Sequence, residues 1–143
     1  MNDPKLIAKS STTIRAPTDH VWKALTDPAA IEHYMFGAKV DSEWHEGSPI
    51  TWKGEYQGKA YEDKGRILEM RRGKRLRYSH FSPMAGLPDS PENYHTVTID
   101  LEGSGGDTRV SLTQDNNSDE KARAHSEKNW DAMLQGLKKY VEQ

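Results

Sequence analysis

Tyr78 and His80 stand two positions apart, so on an extended chain they share one face. A phenol and an imidazole side by side can pass a proton or orient a polar group on a ligand. Trp52 and Tyr56 likewise fall on one face of the run from Ile50 to Tyr56. Toward the C-terminus, Trp130, Met133, Leu134 and Leu137 recur at helical spacing. Together these eight residues are candidate walls of a pocket for a mostly apolar guest, with hydroxyl, imidazole and indole tips to orient it. The same residues also suit a plain core, since a stripe at helical spacing is the ordinary mark of packing, and both roles stay open. Met35 and Phe36 near one end, and Met84 in a proline-rich stretch, are candidate gates, because methionine adapts to guests of varied shape.

Other chemistries lack their signatures. Six histidines occur, at positions 20, 33, 45, 80, 95 and 125, yet no two have the one-helix-face separation of a zinc motif, so no metal is expected. Among them His80 is the one expected on an inward face, where a hydrogen-bonded core imidazole is its plainest role. Glu55, Glu62, Asp63 and Glu69 offer carboxylates along strands, and alternation turns Glu55 away from Trp52 and Tyr56, toward solvent. No serine sits in a nucleophile elbow, and phosphate-loop and dinucleotide patterns are absent, so no cofactor is expected. The run Arg71 to Arg77 places five basic residues in seven positions, suited to an acidic partner or simply to keeping a hairpin tip soluble.

The elements that must position these residues follow from period and punctuation. Leu6 to Arg15 is β-branched and polar and stops at Ala16-Pro17, which predicts a first strand. Thr18 is the expected cap of a short helix carrying Val21, Trp22 and Leu25, and Asp27-Pro28 starts a second through Tyr34. Alternating runs then follow at Ile50–Tyr56, Tyr61–Met70, Leu76–Phe81, Tyr94–Glu102 and Thr108–Gln114, joined by turns such as Arg72-Gly73-Lys74 and Gly103 to Asp107. Asn117, with Glu120 three residues on, is the expected cap of a long closing helix. The stretch Ser82 to Asn93 holds three prolines and reads as a structured loop or lid.

The chain is 143 residues long, the size of one domain, and it carries 20 basic and 22 acidic residues for a net charge of -2. That balance argues against a nucleic-acid partner, whose phosphates need a basic face. Only 34% of residues are hydrophobic, but four Trp, six Tyr and five Met supply bulk for a thin, aromatic-rich core. Cysteine is absent, and neither a signal peptide nor an apolar run long enough to span a membrane is present, which fits a cytoplasmic protein.

The order of strand, two short helices, meander and long helix resembles the helix-grip fold of the START-like or SRPBCC superfamily. The residues resemble its branch homologous to the activator of heat-shock protein 90 ATPase. The likeness is carried by Thr13-Ile-Arg-Ala-Pro17, by Val21-Trp-Lys-Ala-Leu-Thr-Asp-Pro28, by Pro91-Glu-Asn-Tyr94 with Val97-Thr98, by Thr108 through Asn116, and by Asn129-Trp130 with Met133, Leu134 and Leu137. The resemblance implies an α+β fold, a curved antiparallel sheet closed by the long helix around an elongated cavity, over residues 1–143. It implies binding of a small apolar or amphipathic ligand, entering between the Ser82 to Asn93 loop and the long helix, by a monomer or homodimer. It also suggests a chaperone partner, although the eukaryotic activator uses an additional N-terminal domain for which this length leaves no room. Cyclase- or hydratase-like catalysis by cavity Tyr and His is the third expectation, because some superfamily members use their cavities that way.

Overall fold

Alternation of apolar and polar side chains builds one antiparallel sheet, because strands with a single buried face must all turn that face the same way. The computed structural model describes residues 6–143, apart from the side chains of Tyr56 and Ala85. The strands are β1 (Ala8–Ile14), β2 (Lys39–Ser42), β3 (Pro49–Tyr56), β4 (Lys59–Arg71), β5 (Arg75–His80), β6 (His95–Ser104) and β7 (Asp107–Gln114). They lie in the order β1-β7-β6-β5-β4-β3-β2, so β2 to β7 form a continuous meander and β1 closes onto the last strand. This is the curved sheet and long-helix architecture that the order of runs predicts.

Two tight turns set the register. Gln57-Gly58 joins β3 to β4 and Gly105-Gly106 joins β6 to β7, each with both residues at positive φ (52° and 80°, then 59° and 91°). Such two-residue turns match the twist of the strands they connect. The first was not legible as a turn, and β4 therefore begins at Lys59, earlier than its apolar run suggests. β4 also carries a bulge between Ile67 and Glu69, which increases local twist and helps the sheet curl.

Three helices cover the concave face: α1 (Thr18–Leu25), α2 (Pro28–Tyr34) and α3 (Glu120–Val141). Their buried residues include Val21, Trp22 and Leu25, then Ile31 and Tyr34, then Met133, Leu134 and Leu137, and these meet Ile67, Tyr78, Val97, Ile99 and Leu112 of the sheet in one core. Tyr34 ties the two short helices together by donating its hydroxyl to the Ala24 carbonyl at 3.0 Å. Burial raises its pKa well above the ordinary tyrosine value, so the phenol stays neutral.

Two cap assignments are corrected. Pro17, not Thr18, occupies the cap of α1, and Thr18 is already helical. Asp119, not Asn117, caps α3, its carboxylate accepting from the Ala122 amide at 2.8 Å. Asn117 is instead buried, donating to the carbonyls of Leu6 (2.6 Å) and Gln114 (3.3 Å). A side chain that both donates and accepts suits that interior junction better than a carboxylate would.

Candidate functional site

The space between sheet and helices is nearly full. A void of about 20 Å³ remains, walled by Leu25, Ile31, Tyr34, Trp44, Trp52, Tyr78 and neighbouring aliphatic side chains, with Met35 and Met133 on one side. That is room for about one water, and the lining is almost wholly apolar. Trp52 and Tyr78 pack ring against ring, centroids 5.2 Å apart at 44°. Burial alone drives the Tyr78 hydroxyl far above its usual pKa, so it remains protonated at any physiological pH.

A second space opens beside the first. A cleft of about 200 Å³ runs between the end of α2 and the middle of α3, lined by Met35, Phe36, Gln114, Ser126, Asn129, Trp130 and Met133. Met35 and Met133 border both spaces. Phe36 is 73% exposed and holds a left-handed backbone (φ 58°), unusual for a large apolar residue. Trp130 is pinned across the cleft floor, its indole N–H donating to Gln114 Oε1 at 2.5 Å. Gln114 is in turn fixed by donating Nε2–H to Asn117 Oδ1 at 3.3 Å, and the Ser126 hydroxyl donates to the same oxygen at 2.9 Å.

The eight candidate wall residues thus divide. Trp52, Tyr78 and Met133 line the void, Trp130 and Met133 line the cleft, and Leu134 and Leu137 are fully buried and lie at the margin of neither. Tyr56 ends β3, and its side chain lies outside the described residues. Of the three candidate gates, Met35 and Phe36 stand at the cleft, while Met84 is half exposed in a short helical turn, Pro83–Ala85, and does not line it.

His80 sits beyond Trp52 on the inner face, its ring edge-on to the indole with centroids 5.1 Å apart. Its partner is Asp63, Nε2 lying 2.9 Å from Oδ2, with side-chain exposures of 28% and 16%. His95 is directly across from His80 in the β5–β6 register and its ring stacks at 6.2 Å and 27°. In the amino-acid sequence Asp63 is one of several carboxylates along the strands, and His80 alone among the histidines is expected on an inward face. The parity of His95 with Val97, Ile99 and Leu101 was the available signal; Asp63 depended on the unrecognised turn at Gln57-Gly58.

Burial is the largest influence on His95 and pulls its pKa below the ordinary 6.5; the Asp115 carbonyl opposes this and His80 adds to it. A depressed histidine contributes stability that is fully present above the unfolded value and lost as pH falls through the folded one. The urea midpoint should therefore decline as pH falls below the ordinary histidine value of 6.5, and His95→Gln should flatten part of that decline. Equal slopes for the two proteins would show that His95 does not carry the effect.

Among the described residues no cluster of three or more His, Cys, Asp or Glu could hold a metal ion, and no helix is long and apolar enough to cross a membrane.

A curved seven-stranded antiparallel sheet gripping a long C-terminal helix, with the internal space where the two meet, defines a helix-grip protein. Residues 15–142 match the family model described as Activator of Hsp90 ATPase homolog 1-like protein, and the chain belongs to that family. No curated protein matches the sequence. The solution structure of a structural-genomics target from Cytophaga hutchinsonii is 55% identical, aligned over 99% of this chain and 96% of that one, with a TM-score of 0.85. Two more distant structures share the fold. One is CalU16 from Micromonospora echinospora, 22% identical over 99% of this chain and 81% of that chain, TM-score 0.73. The other is the Aha1 dimer from Colwellia psychrerythraea, 19% identical over 95% of this chain and 96% of that chain, TM-score 0.73.

Proposed function

We propose that this protein binds a small hydrophobic or amphipathic molecule between the sheet and α3, to carry or to sense it. The observation that supports this most directly is the shared border: two methionine side chains, Met35 and Met133, are common to the inner void and the outer cleft. Each has several rotatable bonds and no polar group to satisfy, so swinging them aside merges the two spaces at small conformational cost. The cleft of about 200 Å³ is smaller than the roughly 300–1,000 Å³ of ordinary ligand sites, so the guest is a ring or short chain that gains its remaining room by displacing methionine. Apolar parts of the guest then meet Trp52 and Tyr78, while Ser126 and Asn129 offer polar groups at the cleft.

Anilinonaphthalene sulfonate is a suitable probe, its emission rising in apolar surroundings. Wild-type protein should bind it and gain thermal stability with probe concentration, since a ligand of the native state stabilises by mass action. Met133→Trp fills the passage and should weaken binding by about tenfold or more, one such factor being roughly 1.4 kcal/mol. Binding that is unaffected by Met133→Trp would place the guest elsewhere, and no binding by a broad panel of aromatic and lipidic compounds would remove the reading.

A further inference from the structure

Trp22 and Trp44 meet at a place that the ligand-binding reading above does not use. Trp22 is on α1, Trp44 lies in the connection from β2 to β3, Met70 is near the end of β4, and Arg72 stands in the turn into β5. With His45 and Glu46 they line a surface cleft of about 560 Å³. That volume is within the roughly 300–1,000 Å³ of ordinary small-molecule sites, whereas the cleft between α2 and α3 falls below it. The two clefts share no lining residue. Trp44 also borders the inner void, so its indole stands between that void and this second cleft.

Trp44 holds a left-handed backbone, φ 57°, a conformation that costs free energy for any residue with a bulky side chain. A network of hydrogen bonds fixes it there. The Trp44 amide donates to Ser42 Oγ at 3.1 Å, the His45 amide to Ser48 Oγ at 3.2 Å, and the Ser48 hydroxyl to the His45 carbonyl at 2.7 Å. Gly47 and Ser48 are tied to Ile67 of β4 by backbone hydrogen bonds of 2.8 and 2.9 Å. Strain held in place by so many bonds, on a half-buried tryptophan at a cleft, makes a pre-organised wall rather than a loose loop.

The charged groups here differ in what already holds them. His45 has Nδ1 3.2 Å from the Glu46 carbonyl and Nε2 3.2 Å from Glu43 Oε2. Glu46 accepts the Met70 amide at Oε2, 3.0 Å away. Arg72 has neither an ion pair nor a hydrogen bond among the described residues. Two larger surface clefts differ on this point, because the cation beside the acid is already paired: Arg75 with Asp100 in one, Lys64 with Asp89 in the other. A free guanidinium beside two indoles suits a flat ring that carries an anion. The ring meets the indoles and the Met70 thioether, and the planar fork of donors matches a carboxylate. Glu46 carries the opposite charge to Arg72, so such a guest gains only with its anion at the Arg72 end, which orients it.

We infer that the cleft between Trp22 and Trp44 is a second small-molecule site, for a planar aromatic anion such as an aryl carboxylate, with Arg72 recognising its charge. It is separate from the site proposed between the sheet and α3, and neither depends on the other.

The test compares 2-naphthoate with 2-naphthamide, which share a ring system and differ in charge. Each is titrated into isotopically labelled protein near neutral pH, where the carboxylate and the guanidinium are both ionised. Binding is followed by nuclear magnetic resonance at the indole N–H signals of the four tryptophans, assigned by single Trp→Phe substitutions. Naphthoate should move the Trp22 and Trp44 signals and bind about fivefold more tightly than the amide, the upper end for an exposed ion pair, ~1 kcal/mol. Arg72→Gln should bring the two affinities within about twofold, and Arg72→Glu should make the amide the tighter guest. Both substitutions fall on an exposed side chain with no partner in the fold, and retained thermal unfolding transitions verify that the variants are folded. Equal affinities in the wild type, or a preference for naphthoate that survives Arg72→Gln, would overturn the inference. So would movement of the Trp130 signal with Trp22 and Trp44 unmoved, or no movement at millimolar naphthoate. The Trp130 signal reads the cleft between α2 and α3 separately, so this inference can fail while ligand binding there stands.

Discussion

Replacing Gly65 by alanine should cost the protein at least about 3 kcal/mol, at or beyond the upper end of ordinary overpacking, and is expected to leave little folded protein at moderate temperature. A methyl group at this position would lie 1.7 Å from the carbonyl oxygen of Ser79, 2.6 Å from its carbon and 3.3 Å from the His80 nitrogen. All three are backbone atoms of the paired strand, so nothing can rotate away. The only relief is for β4 and β5 to separate where Lys64 and Phe81 exchange backbone hydrogen bonds of 3.0 and 2.7 Å. That separation would also withdraw His80 from Asp63. Gly54→Ala is the matched control: its methyl would meet the Tyr61 hydroxyl at 2.7 Å, but that atom is the free end of a half-buried side chain that can swing aside. Chemical denaturation should show a loss below about 1.5 kcal/mol for Gly54→Ala, against the much larger loss at Gly65. Similar small losses at both sites would mean that the β4–β5 junction yields more readily than its backbone contact implies.

Leu134→Ala should lower stability by about 2–5 kcal/mol, the range for emptying a fully buried leucine site. Leu134 is on the face of α3 that meets the sheet, yet it borders neither the void nor the cleft. Its replacement therefore separates two roles that one helical stripe combines. The loss in urea unfolding should be large, while the affinity of the folded variant for anilinonaphthalene sulfonate should stay within about twofold of wild type, because the Leu134 side chain lines neither space. Met133→Trp should weaken binding strongly, with an overpacking loss of about 1–3 kcal/mol at this buried position, so its affinity is read on the folded fraction. If Leu134→Ala instead weakened binding in proportion to its loss of stability, the helix would act as a single wall and the division between core and site would not hold.

Much of the architecture was legible because period and punctuation are local. Val97, Ile99 and Leu101 alternate, Met133, Leu134 and Leu137 recur at helical spacing, and prolines at 17 and 28 mark the ends of the first strand and first helix. The caps were less legible. Asn117 and Asp119 both suit a helix start, and only the contacts with Leu6 and Gln114 show which of them is buried.

The candidate site divides along the same line. Trp52, Tyr78, Met35, Phe36, Trp130 and Met133 stand out in the amino-acid sequence because large aromatic and methionine side chains at regular spacing must find a common interior, so the residue types and their faces are local information. Which of them border an open space, and which are packed solid, depends on how closely the helices approach the sheet, and that distance is set by every side chain between them. The pairing of Asp63 with His80 and the stacking of His95 arise from strand register, which brings together residues 15 to 32 positions apart. Register rests on the turn at Gln57-Gly58 and the contact at Gly65, where one residue more or less would turn Asp63 to the outer face. Sequence by itself determined a sheet that grips a helix and the aromatic wall between them; only the tertiary structure decided where that wall opens and which polar groups meet at its edge.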